Sequence, residues 1–237
     1  MLRGEIAKGL DHDPNFRWRG ESVTRIENLS DIVFALALGM IISAAVIPQS
    51  YDDLRAYLVS IIPATAAFAL LVGIWHTHFT FFRRYGVADS KIIFLNAILL
   101  FVVLYLAYPL RFAFEALFAF VMLVSGDASR AEVLRLDFER SGKILGFFGI
   151  GFMVVHILYV LMHRHVFRKA ELLELRETEL QITRQSIFYH CSVAVLAILM
   201  GGLAYFTPLN GFAGFILAFT GIAAFFSYKM YPVPRAD

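Results

Sequence analysis

Charge is scarce in this chain. Only 17% of its 237 residues are Asp, Glu, Lys or Arg, whereas 59% are hydrophobic. This balance excludes a soluble globular domain, in which about a quarter of the residues are charged. The charges cluster between long apolar runs, as in a protein that crosses the membrane several times. We therefore expect a lipid bilayer as its surroundings and no nucleic acid as a partner.

Several signatures of other protein classes are also missing. The single cysteine, Cys191, allows no intramolecular disulfide and is expected to be a packed core thiol. Residues 1–23 contain no apolar stretch of the kind that a cleavable signal peptide needs. No nucleophile elbow, P-loop or HExxH motif is present. The chain is therefore not expected to be an enzyme or to carry a cofactor or metal.

Six apolar runs predict an all-α integral membrane protein with six transmembrane helices per subunit. The runs cover residues 24–47, about 56–82, 91–124, 144–162, 187–206 and 212–228. They define an N-terminal tail (1–23), a six-helix domain (24–231) and a C-terminal tail (232–237). The third run is too long for one span, so we expect a kink or break at Pro109. Arg111 and Glu115 lie just beyond that proline.

Local signals place the helix ends and the termini. The spacings Thr24–Glu27 and Ser129–Glu132 each predict a capping box, and residues 49–55 are expected to form a short acidic loop. Basic residues concentrate in the N-terminal tail, the second and fourth loops and the C-terminal tail, which predicts that both termini are cytoplasmic. The third loop is also basic, which runs against this rule.

The first apolar run carries charge into its opening turns. Arg25 and Asp31 precede sixteen residues without a charge, and charge at the mouth of a span is a functional-site hypothesis. They lie about 240° apart around a helix and cannot pair with each other. Candidate partners for them are His76, His78 and Asn96. Alternatively, Arg25 reaches the lipid headgroups and Asp31 is solvated.

A stripe with heptad spacing follows along the same run. Leu29, Leu36 and Ser43 are seven residues apart, and Gly39 follows Leu36 by three. Such a seam faces a neighbouring helix or another copy of itself, and its small residues permit close approach. Both a packing seam and a pore lining fit this pattern, because hydrophobic constrictions gate pores by dewetting.

Histidines within apolar helices support two further hypotheses. His78, His156 and His190 could ligate haem or a metal if two of them faced each other. Asp31 and His78 could instead serve a proton-coupled secondary transporter, although the sequence has no internal repeat. Histidines that are individually hydrogen-bonded remain the simplest interpretation.

The segment from Arg25 to Asp31, Arg-Ile-Glu-Asn-Leu-Ser-Asp, resembles a known signature. It is similar to the Arg-x-x-x-Phe-Ser-Asp motif that opens the first helix of the endosomal and lysosomal potassium channel family of the transmembrane protein 175 type, including its prokaryotic members. The segment Trp75-His-Thr-His78 resembles the family's Trp-x-x-His, and Asn96 and Pro109 resemble its third-helix residues. The six-span layout extends the resemblance over nearly the whole chain.

The resemblance implies a homotetrameric, potassium-permeable cation channel in a prokaryotic cell membrane. Four copies of the first helix would surround a central pore, and their side chains would form a hydrophobic constriction selective for potassium among monovalent cations. By position, the implied pore layers are Leu36, Gly39 and Ser43. The implied structural supports of the pore are Arg25, Ser30, Asp31, Trp75, His78 and Asn96.

Three residues depart from the family pattern. Leu29 replaces the motif phenylalanine, Gly39 stands where prokaryotic members usually have Thr, and Ser43 stands where they usually have Leu. Gly39 offers no hydroxyl, and Ser43 is small. We therefore expect a wider, less selective constriction in which Leu36 is the bulky ring.

Overall fold

Long apolar helices make up most of the chain. The computed structural model describes residues 15–20, 22–43, 48–134, 138–207 and 210–232. Its α-helices are α1 (Arg25–Ser43), α2 (Tyr51–Val59), α3 (Ile61–Tyr85), α4 (Ser90–Val124), α5 (Ser129–Val133), α6 (Phe138–Phe167), α7 (Glu177–Phe206), α8 (Asn210–Ala213) and α9 (Thr220–Met230), and a 3-10 segment, Gly214–Phe219, joins α8 to α9. The expected all-α architecture is confirmed.

Five of these segments are long and apolar enough to cross a membrane. They are α1, α2 with α3, α4, residues 142–167 of α6, and α7. The sixth expected span corresponds to the shorter apolar segment Gly214–Met230. Six 3-10 residues and eleven α-helical residues give it a length of about 28 Å, close to the thickness of the hydrocarbon core.

The second span begins earlier than predicted. Most of the expected acidic loop belongs to α2, which starts at Tyr51 because Ser50 caps it by accepting the Asp53 amide at 3.1 Å. The helix is interrupted at Ser60, three residues before Pro63. A proline at 63 cannot donate to the carbonyl four residues earlier, so the helical ladder loses a bond next to this interruption.

The third span is more continuous than predicted. α4 runs without a break from Ser90 to Val124 and contains Pro109 in its interior. Surrounding helices supply the packing that keeps such a helix continuous. The second capping box is absent, because Ser129 is already inside α5 and its amide is bonded by Asp127 at 2.9 Å.

The two sides of the bundle are packed differently. α1 packs against α3 and α4, whereas α6 and α7 lie against each other along most of their length. The two helices approach closely at Gly149, where the absence of a side chain permits the contact: a Cβ there would lie 2.8 Å from the Ala197 carbonyl oxygen. Cys191 is exposed on α7, so the expected core thiol is wrong: an apolar run in a membrane protein also has a face without protein neighbours.

The described N-terminal residues are tied to the ends of other helices. Phe16 is fully buried beside Tyr85, and the amides of Arg19 and Gly20 both donate to the Arg83 carbonyl at 3.1 Å. Gly86 ends α3 with a positive φ of 61°, and a Cβ there would lie 2.9 Å from the Arg19 backbone. This segment therefore holds the start of α1 close to the end of α3.

Candidate functional site

The start of α1 is fixed by its own side chains. Glu27 Oε1 accepts the amide of Thr24 at 2.9 Å and its hydroxyl at 2.7 Å, and Thr24 Oγ1 accepts the Glu27 amide at 3.4 Å. This is the capping box that the Thr24–Glu27 spacing predicts. It fixes where α1 begins, just before the motif residues.

A buried hydrogen-bond chain then links three helices. Ser30 donates its hydroxyl hydrogen to the Ile26 carbonyl at 2.8 Å, so its oxygen accepts from Asn96 Nδ2 at 3.0 Å. Asn96 Oδ1 therefore faces His78 Nε2 at 2.8 Å, and that nitrogen must be the donor. Ser30, Asn96 and His78 are at most 2% exposed. The chain ties α1 to α4 and α4 to α3.

A second bond lies beside this chain. Trp75 Nε1 donates to Asp31 Oδ1 at 2.9 Å and connects α3 to α1. Asp31 is thus bonded to Trp75 and not to His76, His78 or Asn96, the partners predicted from the sequence. Asn96 is bonded to the neighbouring Ser30 instead. Neither Asp31 nor His78 is hydrogen-bonded to the other in the described part of the chain.

Arg25 is not brought into these contacts. Its side chain is exposed and makes no hydrogen bond or ion pair with a described residue. At 3.6 residues per turn it lies within about 20° of Leu36 around α1. Of the six residues expected to support the pore, five are in contact through α1, α3 and α4, and Arg25 lies on a different face.

The seam residues occupy that other face of α1. Leu36 is 55% exposed, and Gly39 and Ser43 are exposed as well. A Cβ built on Gly39 would have no neighbour within 4 Å. On the opposite face, Phe34 and Ala37 are at most 1% exposed. Within the described residues, the seam is therefore not a packing surface for the other helices.

The remaining intramembrane histidines form a cluster on the other side of the bundle. His156 Nδ1 and His190 Nδ1 are 2.9 Å apart and share one hydrogen, and the ring of His163 lies 5.5 Å from that of His190. Two nitrogens on opposite sides of a haem iron would be about 4 Å apart, because each bond to a metal is about 2 Å long, so this pair is spaced for a shared hydrogen rather than for a haem between the rings. The described residues contain no group of three potential metal ligands.

Sequence reasoning missed one polar contact between the loops at this end. Asp89 Oδ2 accepts from His165 Nε2 at 2.7 Å and from Lys169 Nζ at 2.6 Å, which joins the start of α4 to the end of α6. Partial burial raises the pKa of Asp89, but the bonds from His165 and Lys169 outweigh this effect and hold the pKa well below its usual range. No local pattern links residues this far apart in the sequence.

Fold and site together define a multi-pass, all-helical membrane protein whose first helix is bonded to the bundle on one side and open on the other. Residues 25–106 match the profile of the family described as endosomal/lysosomal potassium channel TMEM175. The chain is 33% identical over 228 residues to a protein of Marivirga tractuosa named "Potassium channel", and the match covers 90% of this chain and 89% of the relative.

Solved structures give the same result. The crystal structure of a single-residue variant of the potassium channel MtTMEM175, in complex with a nanobody fusion protein, superimposes with a TM-score of 0.78 at 29% identity, covering 92% of this chain and 97% of that one. A TMEM175 homologue from Chamaesiphon minutus, described as a lysosomal potassium-selective channel homologue, shares the fold with a TM-score of 0.57 at 20% identity, covering 86% of this chain and 96% of that one.

The chain therefore belongs to the TMEM175 potassium channel family. The family resemblance inferred from the motifs is confirmed. Because this is a family of ion channels, the prediction that the chain is not an enzyme is also confirmed.

Proposed function

We propose that this protein conducts potassium across a bacterial cell membrane as a homotetramer. Four copies of α1 surround the central axis, and Leu36, Gly39 and Ser43 form the constriction. The exposure of these three residues on one face of α1 carries the proposal. The relative named as a potassium channel supports the choice of ion.

An exposed face on a membrane helix has three possible neighbours: lipid, protein or the water of a pore. Lipid-facing surfaces are filled by bulky apolar side chains, whereas helix–helix contacts favour small ones. This face combines Leu36 with Gly39 and Ser43. Gly39 leaves a gap in the surface, and Ser43 presents a hydroxyl. The pattern favours other copies of α1, or the water between them, over acyl chains.

Flux through reconstituted channels tests the pore lining. Leu36→Asn places an amide in the hydrophobic ring and lowers the cost of hydrating it, so potassium flux is expected to rise about tenfold, with a smaller rise for Leu36→Ala. Leu199→Asn is the matched control, since Leu199 is 51% exposed on α7 and Leu36 is 55% exposed. Equal flux in the Leu36 and Leu199 variants would show that Leu36 faces lipid.

Assembly is tested separately from conduction. The intact protein is expected to have the mass of four chains. In a Cys191→Ser background, Ser43→Cys is expected to form disulfide-linked dimers, because copies of α1 approach around the axis. Efficient cross-linking at Val195→Cys on α7 instead would place the subunit interface on the wrong helix.

We also propose that the membrane domain extends over residues 24–231, with the tails 1–23 and 232–237 in the cytoplasm. Asp89 is bonded to His165 and Lys169, so the basic loop between α3 and α4 and the basic loop between α6 and α7 lie at the same end of the bundle. Residues 15–20 contact that end as well. Basic loops remain on the cytoplasmic side. In the Cys191→Ser background, a Lys91→Cys variant should react with an impermeant maleimide in inside-out vesicles and not in intact cells.

A further inference from the structure

A cavity of about 1170 Å³ opens between α2, α4 and α6. It lies toward the far end of the bundle from the buried chain at Asn96, since Arg111 on its wall is fifteen residues, or about 22 Å, further along α4. The volume exceeds that of typical small-molecule sites. Much of its wall is aromatic: Tyr57, Phe101, Tyr105, Tyr108, Phe112 and Phe147. Most of this cavity is therefore suited to a hydrocarbon chain.

One part of the wall is charged. Arg111 Nη2 donates to Glu115 Oε1 at 2.7 Å, and both residues are more than nine-tenths buried. Arg130 Nη1 lies 3.6 Å from Glu115 Oε2, and its Nη2 donates to the Ala56 carbonyl at 3.1 Å. Two guanidinium groups therefore share one carboxylate. Asp53 also lines the cavity, but it is exposed and its carboxylate accepts the Gln49 amide.

This charged group is incompletely satisfied by the chain itself. Glu115 Oε2 is buried and has no hydrogen-bond partner among the described residues. Among those residues, Arg111 uses one of its five N–H groups, in the bond to Glu115. Buried polar groups are costly unless they are paired, so a ligand that offers both an anion and a hydrogen-bond donor fits here.

The depth of the charged group matches a lipid headgroup. Twenty-one residues of α4 separate Ser90 from Arg111, which is roughly 30 Å, the thickness of the hydrocarbon core. The aromatic wall at Phe101 lies about 15 Å back along the helix, toward the middle of the membrane. Charge at the boundary and an apolar channel beneath it have the arrangement of a phospholipid.

We propose that this cavity binds one phospholipid whose headgroup contains a hydrogen-bond donor. The phosphate pairs with Arg111 and Arg130, the ethanolamine ammonium or glycerol hydroxyl donates to Glu115 Oε2, and an acyl chain occupies the aromatic part. The site does not depend on α1 lining a pore.

Native mass spectrometry of the intact assembly tests this site with three lipids of identical acyl chains. Phosphatidylethanolamine and phosphatidylglycerol each carry a donor, whereas phosphatidylcholine has the phosphate and no donor. The first two are expected to bind about tenfold more tightly than the third, as for a charge-assisted hydrogen bond. Ala56→Trp, which fills the cavity without removing a charge, should abolish the bound lipid.

Two further variants separate the site from the rest of the surface. Leu58→Trp adds the same bulk on α2 outside the cavity, where the side chain is 58% exposed, and should leave binding unchanged. Arg130→Gln should weaken phosphatidylglycerol binding about tenfold without the risk of unpairing Arg111 from Glu115.

Three results would overturn the proposal. Equal affinity for all three lipids would remove the headgroup assignment. Equal lipid occupancy in Ala56→Trp and Leu58→Trp would show that the cavity is not the site. A changed subunit number in Ala56→Trp, with lipid binding intact, would show that a second copy of the chain covers the cavity.

Discussion

The two faces of α1 are built from different chemistry. On the inward face, Ser30 is fully buried and bonded to Asn96, which is bonded to His78. On the outward face, Leu36, Gly39 and Ser43 are exposed and have no bond of this kind with a described residue. The inward face fixes the rotation of the helix, and that rotation decides which residues face outward. The unusual residues at 39 and 43 lie on a surface that the fold leaves unconstrained.

This contrast explains how a family motif can coexist with a changed seam. A polar chain inside a membrane tolerates little change, because each lost partner leaves a buried group unpaired. An outward face that is exposed in the described part of the chain accepts substitutions at little cost in folding. Residues 39 and 43 can therefore change without loss of the subunit fold.

The largest effect is expected from breaking the inward face. Asn96→Leu keeps the side-chain volume but removes the partners of both Ser30 and His78. His78 Nε2 would be left without an acceptor, and Ser30 would keep only its bond to the Ile26 carbonyl, so the free energy of unfolding should fall by about 2–4 kcal/mol. Thermal unfolding of the purified channel, followed by tryptophan fluorescence, measures this loss.

Two variants control for the size of that effect. Ser30→Ala removes the bond from Asn96 and the bond to the Ile26 carbonyl, and should cost about 1 kcal/mol. Added to Asn96→Leu it should cost clearly less than it does alone, since the bond between these two residues is already gone. Trp75→Phe removes the bond to the exposed Asp31 and should also cost no more than about 1 kcal/mol. Additive losses in the Ser30 and Asn96 variants would contradict the hydrogen-bond chain.

The sequence was sufficient for those features that local chemistry determines. Apolar runs located the spans, and the Thr24–Glu27 spacing located the first capping box. The motif residues proved to be bonded in two groups, Ser30 with Asn96 and His78, and Asp31 with Trp75, but these pairings were not foreseen. Asp31 is bonded to Trp75 because their side chains meet between α1 and α3. Residue spacing within one helix cannot predict such a contact between two helices.

Other features could not be predicted from spacing alone. Ser129 starts a spacing typical of a capping box, yet a preceding aspartate binds its amide instead. Pro109 lies within an unbroken helix, because continuity depends on neighbouring helices as well as on the proline. Exposure of Cys191 likewise depends on which face of α7 meets the core.

A smaller effect is expected from changing the outward face. Gly39→Thr adds a ring of hydroxyls where nothing lies within 4 Å of the new Cβ, so the subunit accommodates it. The potassium-to-sodium permeability ratio should rise about threefold, equivalent to about 0.6 kcal/mol, because hydroxyl oxygens can replace part of the ion's water. Reversal potentials under bi-ionic conditions give this ratio.

Gly39→Ala is the matched control for that prediction. It adds a Cβ without a hydroxyl and narrows the ring slightly, so its permeability ratio should stay near that of the unmodified channel. If Ala and Thr raised the ratio equally, width rather than the hydroxyl would set selectivity. If neither variant changed it, position 39 would lie outside the ion pathway.

The smallest effect is expected at Asp89, whose bonds hold the bundle but do not touch α1. Asp89→Asn keeps a good helix cap for α4 and removes the charge paired with Lys169 and His165. Since the pair is partly exposed, the loss at pH 7 should be below about 1 kcal/mol, or about 1–3 °C in Tm, with potassium flux unchanged.

The pH dependence of that loss has a definite sign. The folded-state pKa of Asp89 lies below the value of about 3.9 for an unfolded aspartate, so the folded protein binds this proton less readily. The carboxylate therefore contributes its full stability above about pH 5 and loses it as the pH falls below about 4. The Tm difference between the unmodified protein and Asp89→Asn should shrink between pH 5 and pH 3, and a difference that grew over this range would contradict the ion pair.

A change in potassium flux in Asp89→Asn would show that loop contacts, and not only the inward face of α1, control the pore.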